Sequence, residues 1–304
     1  MTPSDTVPAI EAVGLTKNFG RTRALDGLDL VVQQGEVHGF LGPNGAGKST
    51  TIRALLGQLR LDGGRAHLFG LDCRREAVAA HRRLAYVPGD VALWPGLTGG
   101  ECIDILARSQ GRPNEKRRAE LIERFGLDPA KRTRTYSKGN RQKVALCAAL
   151  STDADLLLLD EPTSGLDPLM EKVFQDYISQ AKQDGRTVLL SSHILAEVEA
   201  LCDRVSIVRL GQVVTRGSLA ELRVHTLTQV TAVTRHPVCG LEQIAGLSDL
   251  SVDEGADMTR TTFRTAAETL GASVALVASS DPSALTVEPP SLDQLFLARY
   301  QAAA

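Results

Sequence analysis

The sequence has no surplus of positive charge. Its Lys and Arg number 34 against 36 Asp and Glu, a formal net charge of −2, which excludes a general nucleic-acid binder, since those carry a basic excess. Long apolar runs are also missing: none approaches the roughly 18 residues that a membrane-spanning helix needs. The first ten residues, MTPSDTVPAI, have neither a basic start nor an apolar core, so they do not read as a signal peptide. Cysteines are few and scattered. Cys73, Cys102, Cys147, Cys202 and Cys239 are odd in number and form no CxxC pair, which predicts free thiols in a reducing compartment rather than a disulfide framework. Aromatic residues make up only 4%. These absences lead to the expectation of a cytosolic chain whose membrane role would run through a partner.

What is present is an ordinary α/β composition, 43% hydrophobic over 304 residues. That length buries a large core without staples and suggests two domains. Residues 1–9 read as a disordered tail. From Ile10 to about Val32, short apolar runs alternate with turn residues such as Asn18-Phe19-Gly20, the pattern of antiparallel strands. Glu36–Leu41 reads as a buried strand, Thr50 to about Leu59 as a helix, and 84–88 as a strand. From about 90 to 150 the pattern is mostly helical with charged faces, as in Pro113–Phe125. Strand signals return at Leu156–Leu159, Thr187–Leu190 and Val205–Arg209, with helical stretches between them. Such alternation implies a parallel sheet wrapped by helices. A boundary falls near 217–228. Residues 225–304 hold 4 Arg and 9 acidic residues, net −5, whereas the rest is net +3. The expected domains are therefore 10–224 and a small α+β domain at 225–304, read as strand, helix, two strands, helix, strand, a ferredoxin-like order.

Two motifs carry chemistry. Gly42, Pro43, Asn44, Gly45, Ala46, Gly47, Lys48 and Ser49 fit G-x-x-x-x-G-K-[ST] between a strand and a helix that Thr50 continues. Glycines let backbone N–H groups turn toward phosphate oxygens, and the helix N-terminus adds positive potential. Lys48 is expected to reach the β- and γ-phosphates, and the Ser49 hydroxyl to ligate Mg²⁺. The second motif is LLLLDEP at 156–162. Asp160 ends a buried strand, where ligands bind in such sheets, and is placed to hold Mg²⁺ through water. Glu161 follows as the candidate general base for the attacking water.

With these two motifs the sequence resembles an ABC-type ATPase, and four further elements match that family in order. Phe19 in LTKNFG matches the aromatic that stacks on adenine; alone, it would more often be a core aromatic. Tyr136 to Gln142, YSKGNRQ, resembles the signature motif and keeps Ser137 and Gly139. Ser164-Gly165-Leu166-Asp167 matches the loop after the catalytic glutamate, and His193 in SSH the switch histidine at the γ-phosphate. The resemblance covers about 10–224. It implies a P-loop NTPase fold: a parallel-sheet core, an N-terminal antiparallel β subdomain and a helical insert. There are departures. Tyr136, Lys138 and Asn140 replace the usual Leu, Gly and Gln of the signature. Gly89 stands where the family has a glutamine that ligates Mg²⁺ and water. Asp90 is one residue on, and either substitutes as the ligand or caps the first turn of the insert. The ending PPSLDQLFLARY at 289–300 resembles ATPases that serve bacterial exporters of the daunorubicin-resistance type.

The resemblance implies an ATP-hydrolysing subunit working as a head-to-tail homodimer with Mg²⁺. It would sit at the inner face of the membrane and drive export of a drug, antibiotic or lipid-like substrate through a separate permease. An importer ATPase is the nearest alternative. Ribosome-acting relatives usually carry two ATPase units, whereas this chain has one phosphate loop. Chromosome ATPases place a long coiled coil where only about 110 residues separate the loop from Asp160. A GTPase would need the guanine-reading NKxD motif, which is absent.

Overall fold

The computed structural model describes residues 7–224, 227–255 and 257–288. The chain divides into two compact units between Gly217 and Ser218, at the start of the 217–228 stretch.

The first unit is built on two sheets. Strands β1 (Ile10–Phe19) and β2 (Thr22–Val32) pair antiparallel around the Gly20 turn, as the alternating pattern predicts. They are joined by β4 (Gly63–Leu68) and β5 (Leu71–Asp72) in the order β2-β1-β4-β5. The second sheet holds six strands. These are β3 (Val37–Leu41), β6 (Leu84–Val87), β7 (Leu156–Asp160), β8 (Thr187–Ser192), β9 (Arg204–Arg209) and β10 (Gln212–Ser218). Their order is β10-β9-β3-β8-β7-β6, and the pairs β9–β3, β3–β8, β8–β7 and β7–β6 are parallel. Every residue of β3, β7 and β8 is buried, which explains their continuous apolar runs. Ile10, Leu28 and Leu30 of the antiparallel sheet share one core with Phe40, Ile52, Leu55 and Leu158.

Helix α1 (Lys48–Leu55) follows the phosphate loop. It starts two residues earlier than the periodicity suggests and stops four earlier. The reason for the early stop is Gly57 at φ 66°. The Gly57 N–H donates to Ala54 O and the Gln58 N–H to Arg53 O, a left-handed cap that only glycine takes readily. After the short α2 (Ala77–His81), the helical insert comprises α3 (Gly99–Ser109), α4 (Glu115–Arg124) and α5 (Lys138–Leu150). A reciprocal Thr98–Glu101 capping box opens α3, and Asn114 caps α4. Helix α5 is buried without a break from Val144 to Leu150, so it is an internal helix rather than an amphipathic one. Helices α6 (Pro168–Gln183) and α7 (Leu195–Leu201) complete the unit.

The second unit begins with α8 (Leu219–Val224). Its sheet comprises β11 (Thr228–Thr234), β12 (Leu247–Glu254), β13 (Thr259–Thr265) and β14 (Ala284–Glu288), with α9 (Ala267–Ala278) between β13 and β14. The order is β12-β13-β11-β14, with antiparallel pairing throughout. The helix expected between β11 and β12 is a single 3-10 turn at Leu241–Gln243. Pro237, Gly240 and Gly246 lie in that short connection and stop a longer helix from forming. Val230, Ala232, Leu241, Phe263 and Val277 form the core of this unit. The ending PPSLDQLFLARY lies outside the described residues.

Candidate active site

The site lies at the carboxyl ends of β3, β7 and β8, where open α/β sheets bind ligands. The chain leaves β3 at Leu41 and turns through residues 42–47 into α1. Gly47 makes the last step at φ 113°, and a Cβ there would lie 2.9 Å from Ala24 O. The loop's backbone is therefore open to glycine alone at this point. The Lys48 ammonium is only 5% exposed. It donates to Gly42 O (2.6 Å) and Pro43 O (3.2 Å), folding back on the carbonyls of its own loop.

Asp160 ends β7 and is buried; its Oδ1 accepts a 2.5 Å bond from the Ser191 hydroxyl at the end of β8. Glu161 turns sharply at φ 47°, a left-handed conformation that costs a non-glycine residue on the order of 1 kcal/mol. That turn is held in place because the Glu161 N–H donates to both the carbonyl and the hydroxyl oxygen of Ser191, each at 3.1 Å. It aims one carboxylate oxygen, Oε1, between two cations or potential cations: Lys48 Nζ at 3.5 Å and His193 Nδ1 at 3.3 Å. Residues far apart in sequence thus converge on one carboxylate. The donor set of the Ser49 hydroxyl and the Asp160 carboxylate consists of hard oxygens, and such a set suits magnesium with water and phosphate oxygens completing the shell. Beside them on β6, burial and then the Asp160 charge push the Tyr86 phenol up to about 12.

A second cluster joins the signature segment to the loop after Glu161. Ser137 caps α5, its hydroxyl accepting from Asn140 N–H at 3.2 Å. Lys138 Nζ donates to Ser164 Oγ at 2.8 Å, and the buried Gln142 amide to Pro162 O at 3.0 Å. A Cβ on Gly139 would fall 2.3 Å from Gly165 O, so glycine is demanded here by a contact within the chain as well. Asp167 caps α6 through Met170 N–H at 3.0 Å.

Two expected site residues stand outside both clusters. Phe19 is 51% exposed at the end of β1, with the Lys17 ammonium 5.4 Å from its ring centre, so it is not a core aromatic. Asp90 is exposed. It does not cap the insert, because Thr98 does so at α3. Its neighbour Gly89 lies against the site, where a Cβ would stand 3.2 Å from Asp160 O. Sequence reasoning missed three residues: Ser191, Ser192 and the buried Glu197, to which Ser192 donates at 2.7 Å. The pair of serines before His193 was the only signal of the first two, and Glu197 had none.

A parallel sheet with a phosphate loop, a paired Asp-Glu beside it and an antiparallel subdomain define a nucleoside-triphosphate-hydrolysing cassette. Comparison with known proteins narrows this class. Residues 25–164 match the ABC transporter domain family. The daunorubicin/doxorubicin resistance ATP-binding protein DrrA of Streptomyces peucetius is 44% identical over 221 residues, spanning 71% of this chain and 67% of that protein. The linearmycin resistance ATP-binding protein LnrL of Bacillus subtilis is 31% identical over 256 residues, spanning 81% of this chain and 82% of that one. Among solved structures, an ATP binding subunit of an ABC transporter superposes with a TM-score of 0.66 at 31% identity, covering 71% of this chain and 92% of its own. The chain belongs to the ABC transporter family as an ATP-binding, ATP-hydrolysing subunit.

Proposed function

We propose that this ATPase powers export of a drug, antibiotic or lipid-like substrate through a separate membrane permease, from the cytoplasmic face. The relatives named for daunorubicin/doxorubicin and linearmycin resistance support the direction and cargo class. Among the described residues no helix is long and apolar enough to cross a membrane, and a permease on another chain would supply the path. The observation that carries the chemistry is the Glu161 carboxylate set between Lys48 and His193. Two copies would face head to tail, each ATP held between residues 42–50 of one copy and Ser137 and Gly139 of the other. Phe19 would stack on the adenine. Lys48 would exchange the Gly42 and Pro43 carbonyls for the β- and γ-phosphates. Ser49 and Asp160 would hold Mg²⁺, which neutralises phosphate charge when bound. Glu161 would orient and polarise the attacking water, His193 would hold the γ-phosphate, and Asp167 would fix the loop that meets the facing copy. Such catalysis is positioning and electrostatics rather than covalent chemistry.

The test is transport. The chain is co-expressed with a candidate permease, and inverted vesicles are given ATP and a fluorescent anthracycline. ATP-dependent accumulation that Glu161→Gln abolishes is the expected result. Uptake in right-side-out vesicles instead would make the complex an importer.

A further inference from the structure

Glu197 is a carboxylate that the scheme above leaves unused. It lies in the first turn of α7 and is only 7% exposed. Its two oxygens point to two different segments. Oε1 accepts from the Thr163 hydroxyl, and Oε2 accepts from the Ser192 hydroxyl at 2.7 Å. Ser192 Oγ in turn accepts the Ile194 N–H at 2.9 Å, so the hydroxyl clasps the chain on the far side of His193. Thr163 sits two residues after Glu161, in a turn closed by Ser164 N–H to Glu161 O (3.1 Å) and Leu166 N–H to Thr163 O (2.9 Å). One buried carboxylate therefore spans the segment that carries Glu161 and the segment that carries His193.

A merely structural account fits this poorly. Burying a carboxylate costs several kcal/mol unless its oxygens are satisfied, and an apolar side chain would fill the space without that cost. The next residue along α7, Val198, is apolar and fully buried, so the helix accepts apolar residues beside Glu197. What a carboxylate adds is two acceptors at a fixed separation. Both Thr163 and Ser192 donate to it, and no neutral side chain of the same shape accepts from two hydroxyls in this way.

We infer that Glu197 is a positioning residue, a strut that sets the distance between the Glu161 carboxylate and the His193 imidazole, 3.3 Å apart. The inference rests on the roles given to Glu161 and His193 above. It places Glu197 in no contact with nucleotide, so its loss acts on turnover and leaves ATP binding alone. Glu197→Gln keeps volume but turns one acceptor into a donor, which reverses or breaks one end of the strut. Thr163→Val removes the opposite donor without changing shape, and Thr163→Ser restores it.

Steady-state ATPase kinetics of the full chain, with ATP affinity by equilibrium binding, tests this. Glu197→Gln and Thr163→Val are each expected to lower kcat about 10- to 100-fold with ATP affinity changed less than about twofold, as misplacement of a catalytic group does. The double variant should lose no more than the worse single one, because both cut one strut. Thr163→Ser should hydrolyse ATP at near the wild-type rate. If Glu197→Gln does not fold, the Thr163 pair carries the same comparison from the other end. Normal kcat in Glu197→Gln or Thr163→Val, or parallel loss of affinity and kcat, overturns the strut. Normal turnover in Glu161→Gln would instead overturn the assignment beneath it, so the two failures are told apart.

Discussion

The Tyr136 ring and the first residue of α3 are packed against each other so closely that a methyl group cannot be added. Tyr136 is 5% exposed, and its hydroxyl donates to Asp128 O. A Cβ on Gly99 would lie 2.2 Å from the Tyr136 oxygen and 3.0 Å from two ring carbons, about 1 Å inside ordinary contact. Neither partner moves freely. Gly99 N–H is bound to Lys131 O at 3.0 Å and Gly100 N–H to Pro129 O at 2.8 Å. Gly99→Ala should therefore cost about 1–3 kcal/mol for overpacking and about 1 kcal/mol for the displaced phenol bond. Roughly 0.5–1 kcal/mol is returned because alanine is the better helix residue, leaving a net loss of about 2 kcal/mol. Tyr136→Leu brings in the residue usual in the family and removes every atom in the clash. In that background Gly99→Ala should be neutral or slightly stabilising. The coupling is thus about 2 kcal/mol. Urea unfolding followed by the sole tryptophan, Trp94, measures it, since Trp94 belongs to the same insert and its carbonyl accepts from Thr133 Oγ1 at 2.6 Å. Additivity of the two substitutions within about 0.5 kcal/mol would show that a Cβ at Gly99 and the Tyr136 ring do not compete for this space.

Three further outcomes follow from the same geometry. Phe19→Ala should raise the KM for ATP by roughly 2- to 10-fold, the worth of one stacking contact, with the melting temperature unchanged because the ring is half exposed; a drop in melting temperature with KM unaltered would contradict this. If Asp90 serves Mg²⁺ from beside Gly89, which lies against Asp160, Asp90→Ala should raise the Mg²⁺ concentration for half-maximal ATPase activity without loss of stability, since Thr98 already caps α3; superimposable Mg²⁺ titrations would leave the metal to Ser49 and Asp160. Ellman's reagent at pH 8 should find Cys239 alone quickly, because it is the exposed cysteine. Burial pushes the Cys73 and Cys147 thiols up to about 12 and raises Cys102 and Cys202 as well, so at pH 8 all four stay protonated and unreactive. Fast reaction of a second thiol would show that the core opens.

The parallel sheet was legible because its strands are buried on both faces and read as unbroken apolar runs, as at Leu156–Leu159. The phosphate loop and Asp160-Glu161 were legible because their chemistry is confined to short contiguous segments. Strand β4 was not, since GGRAHL opens on two glycines and buries only Ala66 and Leu68. Tertiary pairing with β1 makes it a strand, which propensity alone does not signal. The signature's tie to the loop after Glu161 was invisible for a different reason. Lys138 and Ser164 are 26 residues apart, and nothing in either segment names the other. Glu197 reads as one more acidic residue in a helix's first turn, a place where such residues are common for dipole reasons. Only burial distinguishes it.

The most direct test is Glu161→Gln, which keeps size and removes basicity and charge. This variant is expected to bind ATP, hydrolyse it at a small fraction of the normal rate, and accumulate as an ATP-bound dimer on size-exclusion chromatography in the presence of Mg²⁺. Near-normal turnover with a monomer profile would contradict the role of Glu161 and the site built around it.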